Sequence, residues 1–430
     1  MSSELTRLNG FKKGDNGVFS AAGETAKFDY SDGQESEQRL HAILSNAEDL
    51  SSESQQLRSQ ITDWPSEYHL TSLRANLLRP LDLTGVERVL ELGCGCGAIT
   101  RYLSDNTEAQ IDAVEGSPVR AELAALRCRD ADNVTISTGN FNELTLPKNH
   151  YDLILFVGVT EYAGRFSDRD SDQAALQDLL ALARGAGRAD VIVLIAIENR
   201  LGLKYALGAS EDHYGIPMIG IQNYPESTGI RTYSKTEWIS QIEQAGFEHN
   251  VFCYPFPDYK LPTLMVSERA AQQRFAAATE SVKTGGLMEE LAEVSSRDYL
   301  RPFNSGTNEG VIWQTLLQSG ALAQLANSFM ILLSGDSARL QRMSDFDWRS
   351  FPKDPPAYLR ENASQPVPAK PVPIESDLAS VDHAVDLRAE IQALQAQLAQ
   401  ERAERTLLAG SRGWRFLNRI RGWLGRARID

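Results

Sequence analysis

The chain has 430 residues, 42% hydrophobic and 23% charged, with a formal net charge of −15. That composition supports an ordinary packed core, which excludes a disordered or fibrous chain, and the length predicts two or three domains. The acidic balance excludes a general nucleic-acid coat, so no nucleic-acid partner is expected. Charge is uneven, though: residues 411–428 hold six Arg and no acid, leaving −21 on the remainder.

Four Cys, at 94, 96, 128 and 253, form no C-x-x-C and no paired zinc spacing. They read as reduced cytosolic thiols, and no metal is expected. The N-terminus is polar and has no apolar core of a signal peptide. The longest apolar runs, Leu153–Val159 and Val191–Ile197, are seven residues, too short to span a bilayer.

In chain order, residues 1–70 form an N-terminal helical or lid segment, with an apolar pattern only over Leu40–Leu57. Strands are expected at Val89–Leu92, Ile111–Val114, Val134–Ile136, Leu153–Val157 and Val191–Ile197. Amphipathic stretches lie between them, such as Ala98–Leu103, Arg120–Arg127 and Gln173–Ala183. This alternation predicts an α/β domain over 71–267, a parallel sheet with helices on both faces. A last helix at Trp238–Ala245 and two strands, Gly246–Tyr254 and Leu264–Ser267, close it. Residues 268–350 read as a helical accessory subdomain, from spacings such as Leu316, Leu317, Leu322 and Leu325. A Pro-rich linker follows over 351–377, then a short coiled coil over 378–410 with Leu387, Ile391, Leu394 and Leu398 on its seam. The coiled coil predicts a homo-oligomer.

The most specific motif is Val89-Leu-Glu-Leu-Gly-Cys-Gly-Cys-Gly-Ala-Ile-Thr100, a strand ending in a glycine turn that opens a helix. Gly93, Gly95 and Gly97 let backbone approach a ligand at the carboxyl edge of the sheet. Glu115 follows Gly93 by 22 residues, the place of an acid that accepts hydrogen bonds from ribose hydroxyls. Glu91 stands two residues before the first Gly, where a carboxylate meets an amino group. Asn140 and Phe141, after the third strand, are placed to hold and cover an adenine. Gly93, Gly95 and Ala98 also pass a loose dinucleotide fingerprint, which keeps an NAD-dependent sugar oxidoreductase as the alternative.

With that motif, Glu115, Asn140-Phe141 and Asp152 in order, residues 85–265 resemble a class I S-adenosylmethionine-dependent methyltransferase. The resemblance implies a Rossmann-like seven-stranded sheet and S-adenosyl-L-methionine as cofactor. Asn140 stands where the family usually has Asp.

Methyl transfer to a hydroxyl needs an acceptor held in line and a base to take its proton. Loops after strands four and five are the place for both. His213, with Asp212 beside it, is the expected base, because imidazole titrates near neutrality. Glu198 is the second candidate. Glu161, Tyr162 and Asn199 are expected to line the acceptor's side. Tyr254-Pro-Phe-Pro-Asp-Tyr-Lys-Leu-Pro262 reads as a stiff aromatic surface suited to carbohydrate, with Tyr254, Asp258, Tyr259 and Lys260 as contacts. Asp63-Trp-Pro-Ser-Glu-Tyr-His69 reads equally as a cofactor lid or a packing clasp.

Tyr30-Ser-Asp-Gly33, Tyr68-His69, Glu198-Asn-Arg-Leu-Gly-Leu-Lys-Tyr205, the Pro255–Lys260 stretch and Leu325-Ala-Asn-Ser-Phe329 resemble bacterial methyltransferases associated with surface-polysaccharide (O-antigen) assembly. That resemblance implies a glycan hydroxyl as acceptor, lipid-linked or free, and a glycosyltransferase as partner. The domain order also resembles chain-terminating methyltransferases, which cap a growing glycan. A non-catalytic scaffold for glycosyltransferases is the remaining alternative.

Residues 411–430 predict a basic amphipathic helix. Phe416, Leu417, Ile420, Trp423 and Leu424 share one face beside Arg412, Arg415, Arg419 and Arg426. This is the pattern of an in-plane membrane helix. It predicts a protein peripherally associated with the inner face of the plasma membrane.

Overall fold

The computed structural model describes residues 11–21, 33–141, 144–225, 229–272, 285–353 and 358–359. They belong to a compact unit of residues 1–364. The expected coiled coil and basic helix belong to a second unit, residues 365–430, and lie outside the described residues. No helix of the described residues is long and apolar enough to cross a membrane.

The strands are β1 (Phe11–Lys13), β2 (Phe19–Ala21), β3 (Arg88–Leu92), β4 (Gln110–Glu115), β5 (Val134–Thr138), β6 (Tyr151–Val157), β7 (Gly187–Glu198), β8 (His249–Phe256), β9 (Leu264–Ser267), β10 (Ser328–Ser334) and β11 (Trp348–Ser350). They form one sheet in the order β1-β2-β5-β4-β3-β6-β7-β10-β8-β9-β11. The five strands expected for the α/β core are β3 to β7, and they pair in parallel. The chain starts at β3, steps outward to β5, then returns to β6 on the other side of β3. Ligands bind in the crevice that such a reversal opens at the carboxyl ends of the strands.

Both faces of this sheet are covered. Leu90, Ile154, Phe156 and Val193 pack with the helix Asp172–Ala186, while Val89, Leu153, Leu155 and Leu194 pack on the other side with Ile99 and Leu103 of the helix Ala98–Asn106. Burial on both faces explains why these strands read as continuous apolar runs rather than alternating ones.

The sheet has eleven strands, not the expected seven. The largest departure is β10, which lies in the stretch expected to be helical throughout. It inserts antiparallel between β7 and β8, with Ser328 opposite Glu198 and Met330 opposite Cys253. Phe329 packs edge-on against Phe252, centroids 5.5 Å apart, and Met330 enters the opposite core. A strand buried on both faces shows no period of two, so Phe329–Leu333 is indistinguishable by periodicity from a buried helix. β11 caps β9, and the β1–β2 hairpin extends the far edge beside β5.

The Tyr254–Pro262 stretch is also not the expected aromatic surface. Tyr254 and Phe256 are buried within β8, and Phe256 meets Trp313 edge-on at 4.9 Å. The Phe256–Pro257 peptide is cis. Asp258 and Tyr259 beyond it are buried too.

Candidate active site

The glycine turn lies at the carboxyl end of β3, at the sheet's reversal point. Gly93 has φ +82°, and a Cβ there would sit 2.3 Å from Val159 Cγ2. Gly97 caps the helix Ala98–Asn106 in the left-handed region, and a Cβ would press on Ala124 at 3.1 Å. The first glycine thus opens the turn, and the third lets two helices close. Between them, the Gly95 N–H donates to Glu115 Oε2 at 2.8 Å. Glu115 Oε1 accepts from the Ser117 N–H at 2.9 Å. Two backbone donors therefore fix this carboxylate at the end of β4, aimed across the turn.

A pocket forms over the turn. Its walls include Glu91, Gly93, Gly95, Glu115, Asn140, Phe141 and Tyr162. Of the residues expected to hold the cofactor, Gly97 alone does not line it. Glu91 is buried, and its Oε2 accepts from Thr100 Oγ1 at 2.6 Å. Burial pushes its pKa up to about 7, although the Thr100 bond and the Arg74 charge pull the other way. Tyr68, His69 and Arg74 complete the wall. Asp63 caps the helix Trp64–Leu70 that carries the first two. The Arg74 guanidinium lies 4.2 Å from the Tyr68 ring centroid and donates to the Lys260 carbonyl at 3.1 Å. Arg74 was not expected here; in sequence it is one of two Arg, with Arg79, in the apolar stretch before the first core strand, and nothing local sets it apart.

Beyond Tyr162 the loops after β6 and β7 converge. His213 Nδ1 lies 2.9 Å from Glu211 Oε1, and Nε2 lies 3.5 Å from Glu161 Oε1. Glu211 also accepts from the backbone N–H of His213 and Tyr214, each at 2.8 Å. The acid that orients His213 is therefore Glu211, not the adjacent Asp212. A carboxylate two residues upstream reaches back over the turn, whereas Asp212 points away to Lys204 at 2.8 Å and Lys260 at 3.1 Å. Those two lysines outweigh burial and hold the Asp212 carboxyl far below its ordinary range.

Burial works against a charged His213 ring. The bonds to Glu161 and Glu211 outweigh it and hold its pKa well above the ordinary imidazole value. Burial, with the Glu198 charge, raises Glu161 against the pull of His213. Glu198 is fully buried at the end of β7, bonded through Oε1 to Lys260.

Two expected acceptor contacts are not available in this arrangement. The Asn199 amide donates to the Gln324 and Ala326 carbonyls at 2.8 Å each, so it ties β7 to the segment before β10. Tyr254 bonds Lys235 and Glu268 inside the core. Asp258, Tyr259 and Lys260 do join the cluster: Lys204 lies 3.7 Å from Asp258, and a Cβ on Gly158 would sit 2.7 Å from the Tyr259 hydroxyl.

Residues 89–192 match the family model of a methyltransferase domain. The cyclopropane-fatty-acyl-phospholipid synthase of Escherichia coli (strain K12) is 32% identical over 77 residues, 18% of this chain and 19% of that protein. The matched segment thus spans about a fifth of the length of the curated relatives. A SAM-dependent methyltransferase from Aquifex aeolicus aligns at 19% identity and TM-score 0.31, covering 44% of this chain and 85% of that one. Phosphoethanolamine N-methyltransferase 2 of Haemonchus contortus, solved with S-adenosyl-L-methionine, aligns at 14% identity and TM-score 0.36, covering 61% and 52%. The family match falls on the glycine turn, Glu115 and the pocket, in agreement with S-adenosylmethionine as the cofactor. The residues fit it: Glu91 is a buried acid with no cation bonded to it among the described contacts, and Gly95 faces open space up to 4.0 Å from His69.

Two measurements follow from this geometry. Glu115→Ala removes the carboxylate expected to accept from both ribose hydroxyls and frees two backbone donors. Calorimetry with S-adenosylhomocysteine is expected to show a loss of roughly 2–4 kcal/mol. If Glu91 takes the expected place beside the cofactor's ammonium, it would bind it only as a carboxylate, and its pKa, raised by burial to about 7, predicts pH-dependent binding. Affinity should rise about tenfold from pH 6 to pH 8 as this group loses its proton, and Glu91→Gln should flatten that slope. A wild-type affinity that does not change over this range contradicts the assignment.

Proposed function

We propose that the chain transfers a methyl group from S-adenosylmethionine to a hydroxyl of a sugar or glycan intermediate, chain-terminating caps included. The observation that carries this reading is the pairing of a glycine-turn pocket with a buried Glu161–His213–Glu198 cluster beside Tyr162 on its wall, whose ring lies 5.4 Å from that of His213. The bound cofactor supplies an electrophilic methyl on a sulfonium. Glu115 and Glu91 hold its ribose and amino group, and Phe141 covers its base. The cluster handles the acceptor's oxygen and proton. A new oxygen–carbon bond forms as the sulfur–carbon bond breaks, leaving a neutral thioether. The hydroxyl proton passes to the carboxylates, of which Glu161 and Glu198 each keep an Oε2 with no hydrogen-bond partner.

The relative named as a fatty-acyl-phospholipid synthase raises a lipid acyl acceptor as a second reading. The charged groups beside Tyr162, including Lys260, favour a polar hydroxyl over an alkyl chain. Labelled S-adenosylmethionine with cell-envelope glycan extracts tests the choice. Label is expected in base-stable methyl ethers of sugars; label in acyl chains, or tight NADH binding instead of S-adenosylhomocysteine binding, contradicts it. Glu161→Gln should lower turnover about 10²–10⁴-fold while S-adenosylhomocysteine affinity stays within about twofold.

Membrane placement belongs to the same proposal. Residues 411–428 would hold the enzyme at an anionic surface, near a lipid-linked acceptor and a glycosyltransferase. Each Arg near such a surface contributes on the order of 1 kcal/mol. Flotation with anionic liposomes should carry the full chain, in a salt-dependent way, and leave a chain truncated at Leu408 behind. Equal flotation of both removes the tail from the proposal.

A further inference from the structure

We propose that Glu161, Glu198 and His213 form a binding site for one divalent metal ion of the manganese or zinc type. Its place in methyl transfer rests on the function proposed above; the binding itself does not. One potential ligand atom from each residue lies within 4.8 Å of the others. Three different segments bring them together: the turn after β6, the last residue of β7, and the loop beyond it. No sequence spacing links them.

Two features beyond the clustering point to a cation. First, Glu161 and Glu198 are 3% and 0% exposed, and each has a buried Oε2 without a hydrogen-bond partner. A buried carboxylate oxygen left unbonded costs free energy that a metal ion removes. Secondly, charge is unbalanced. Contacts join Glu211 to His213 and His213 to Glu161; Glu198, within 4.8 Å of both, pairs with Lys260, and from there contacts run through Asp212 to Lys204 and Asp258. Five buried carboxylates there meet two ammonium groups. Even a protonated His213 leaves two negative charges over, a deficit that a divalent ion is suited to fill.

The outer contacts match those of metal sites. A ligating histidine ordinarily presents one ring nitrogen to the metal and gives the other N–H to a carboxylate, which fixes its tautomer. Here Nδ1 lies 2.9 Å from Glu211, leaving Nε2 to face Glu161. Glu211 is itself held by two backbone N–H groups and the Tyr224 hydroxyl. Lys260 holds the other oxygen of Glu198. Two carboxylates and one imidazole suit manganese and zinc, and three protein ligands leave positions open for substrate oxygen. A hydroxyl coordinated there would release its proton to water more readily, as a metal-bound water does.

The test uses the full chain and the metal alone. On titration with Mn²⁺, the free-ion electron paramagnetic resonance signal should fall with one equivalent bound, and Zn²⁺ should compete it off. Glu161→Gln and His213→Gln should each weaken binding at least tenfold, and Glu211→Gln, one step out, about 10–100-fold. Unchanged S-adenosylhomocysteine affinity in the same samples shows that the variants are folded. Absence of Mn²⁺ and Zn²⁺ binding at millimolar metal overturns the site, as does binding that survives all three substitutions. Such a failure leaves methyl transfer standing if label still reaches the acceptor. Conversely, a protein that binds Mn²⁺ and methylates nothing keeps the site and loses the proposed function.

Discussion

Glu198 is the residue on which the acceptor side depends. It ends β7 with no solvent exposure, so its charge must be met inside the protein. Lys260 meets it, and the same ammonium reaches Asp212. One buried lysine therefore ties the end of a core strand to the long loop after it and to the β8–β9 connection. Removing Lys260 would leave Glu198 uncompensated, with Asp212 still held by Lys204, a far larger disturbance than losing a surface pair. The loop bearing His213 is consequently fixed by charge rather than by apolar packing.

The same constraint accounts for the inserted strand. Ser328 of β10 lies opposite Glu198, and its hydroxyl accepts from the Tyr259 N–H at 2.8 Å. Asn327, just before, donates to the Pro257 carbonyl and accepts from the Lys204 N–H, each at 2.9 Å. A polar clasp thus sits at the strand's start, and the apolar run Phe329–Leu333 behind it fills the sheet. Segments 70 and 130 residues apart in the chain are held in register at the point where the chemistry is expected.

The parallel core was legible because each strand carries its own local signal, an apolar run followed by a glycine, acid or asparagine at its carboxyl end. That Glu91, Gly93, Gly95, Glu115 and Asn140-Phe141 gather around one pocket was legible for the same reason, since each place is set by position along a strand–turn–helix unit. β10 was not, because a doubly buried strand loses its period and its partners lie far off in sequence. Asn199 and Tyr254 have residue types that suit ligand contact, and only tertiary partners show that their polar atoms are already committed. His213 was legible as a titrating group. The upward shift of its pKa was not, because it depends on Glu161 and Glu211, one of them fifty residues away.

Three remote segments also meet at the helix that carries Tyr68 and His69. Trp64 stacks on Tyr299 with centroids 4.0 Å apart, and Arg297 pairs with Glu67 at 3.0 Å. The Tyr299 hydroxyl donates to Asp258 at 2.9 Å, and Arg74 reaches the Lys260 carbonyl. The helix carrying Tyr68 and His69 is therefore tied to the segment that carries Lys260 through Arg74, four residues beyond its end, and through residues 297–299. The wall that carries Tyr68 and His69 and the segment that carries Lys260 share one set of contacts. That makes the helix Trp64–Leu70 a packing clasp; a role as cofactor lid belongs to the proposed function. On that proposal, a shift of this helix would alter cofactor and acceptor geometry together. In-line displacement needs that coupling, because donor and acceptor atoms must be held within a narrow range of distance and angle at once.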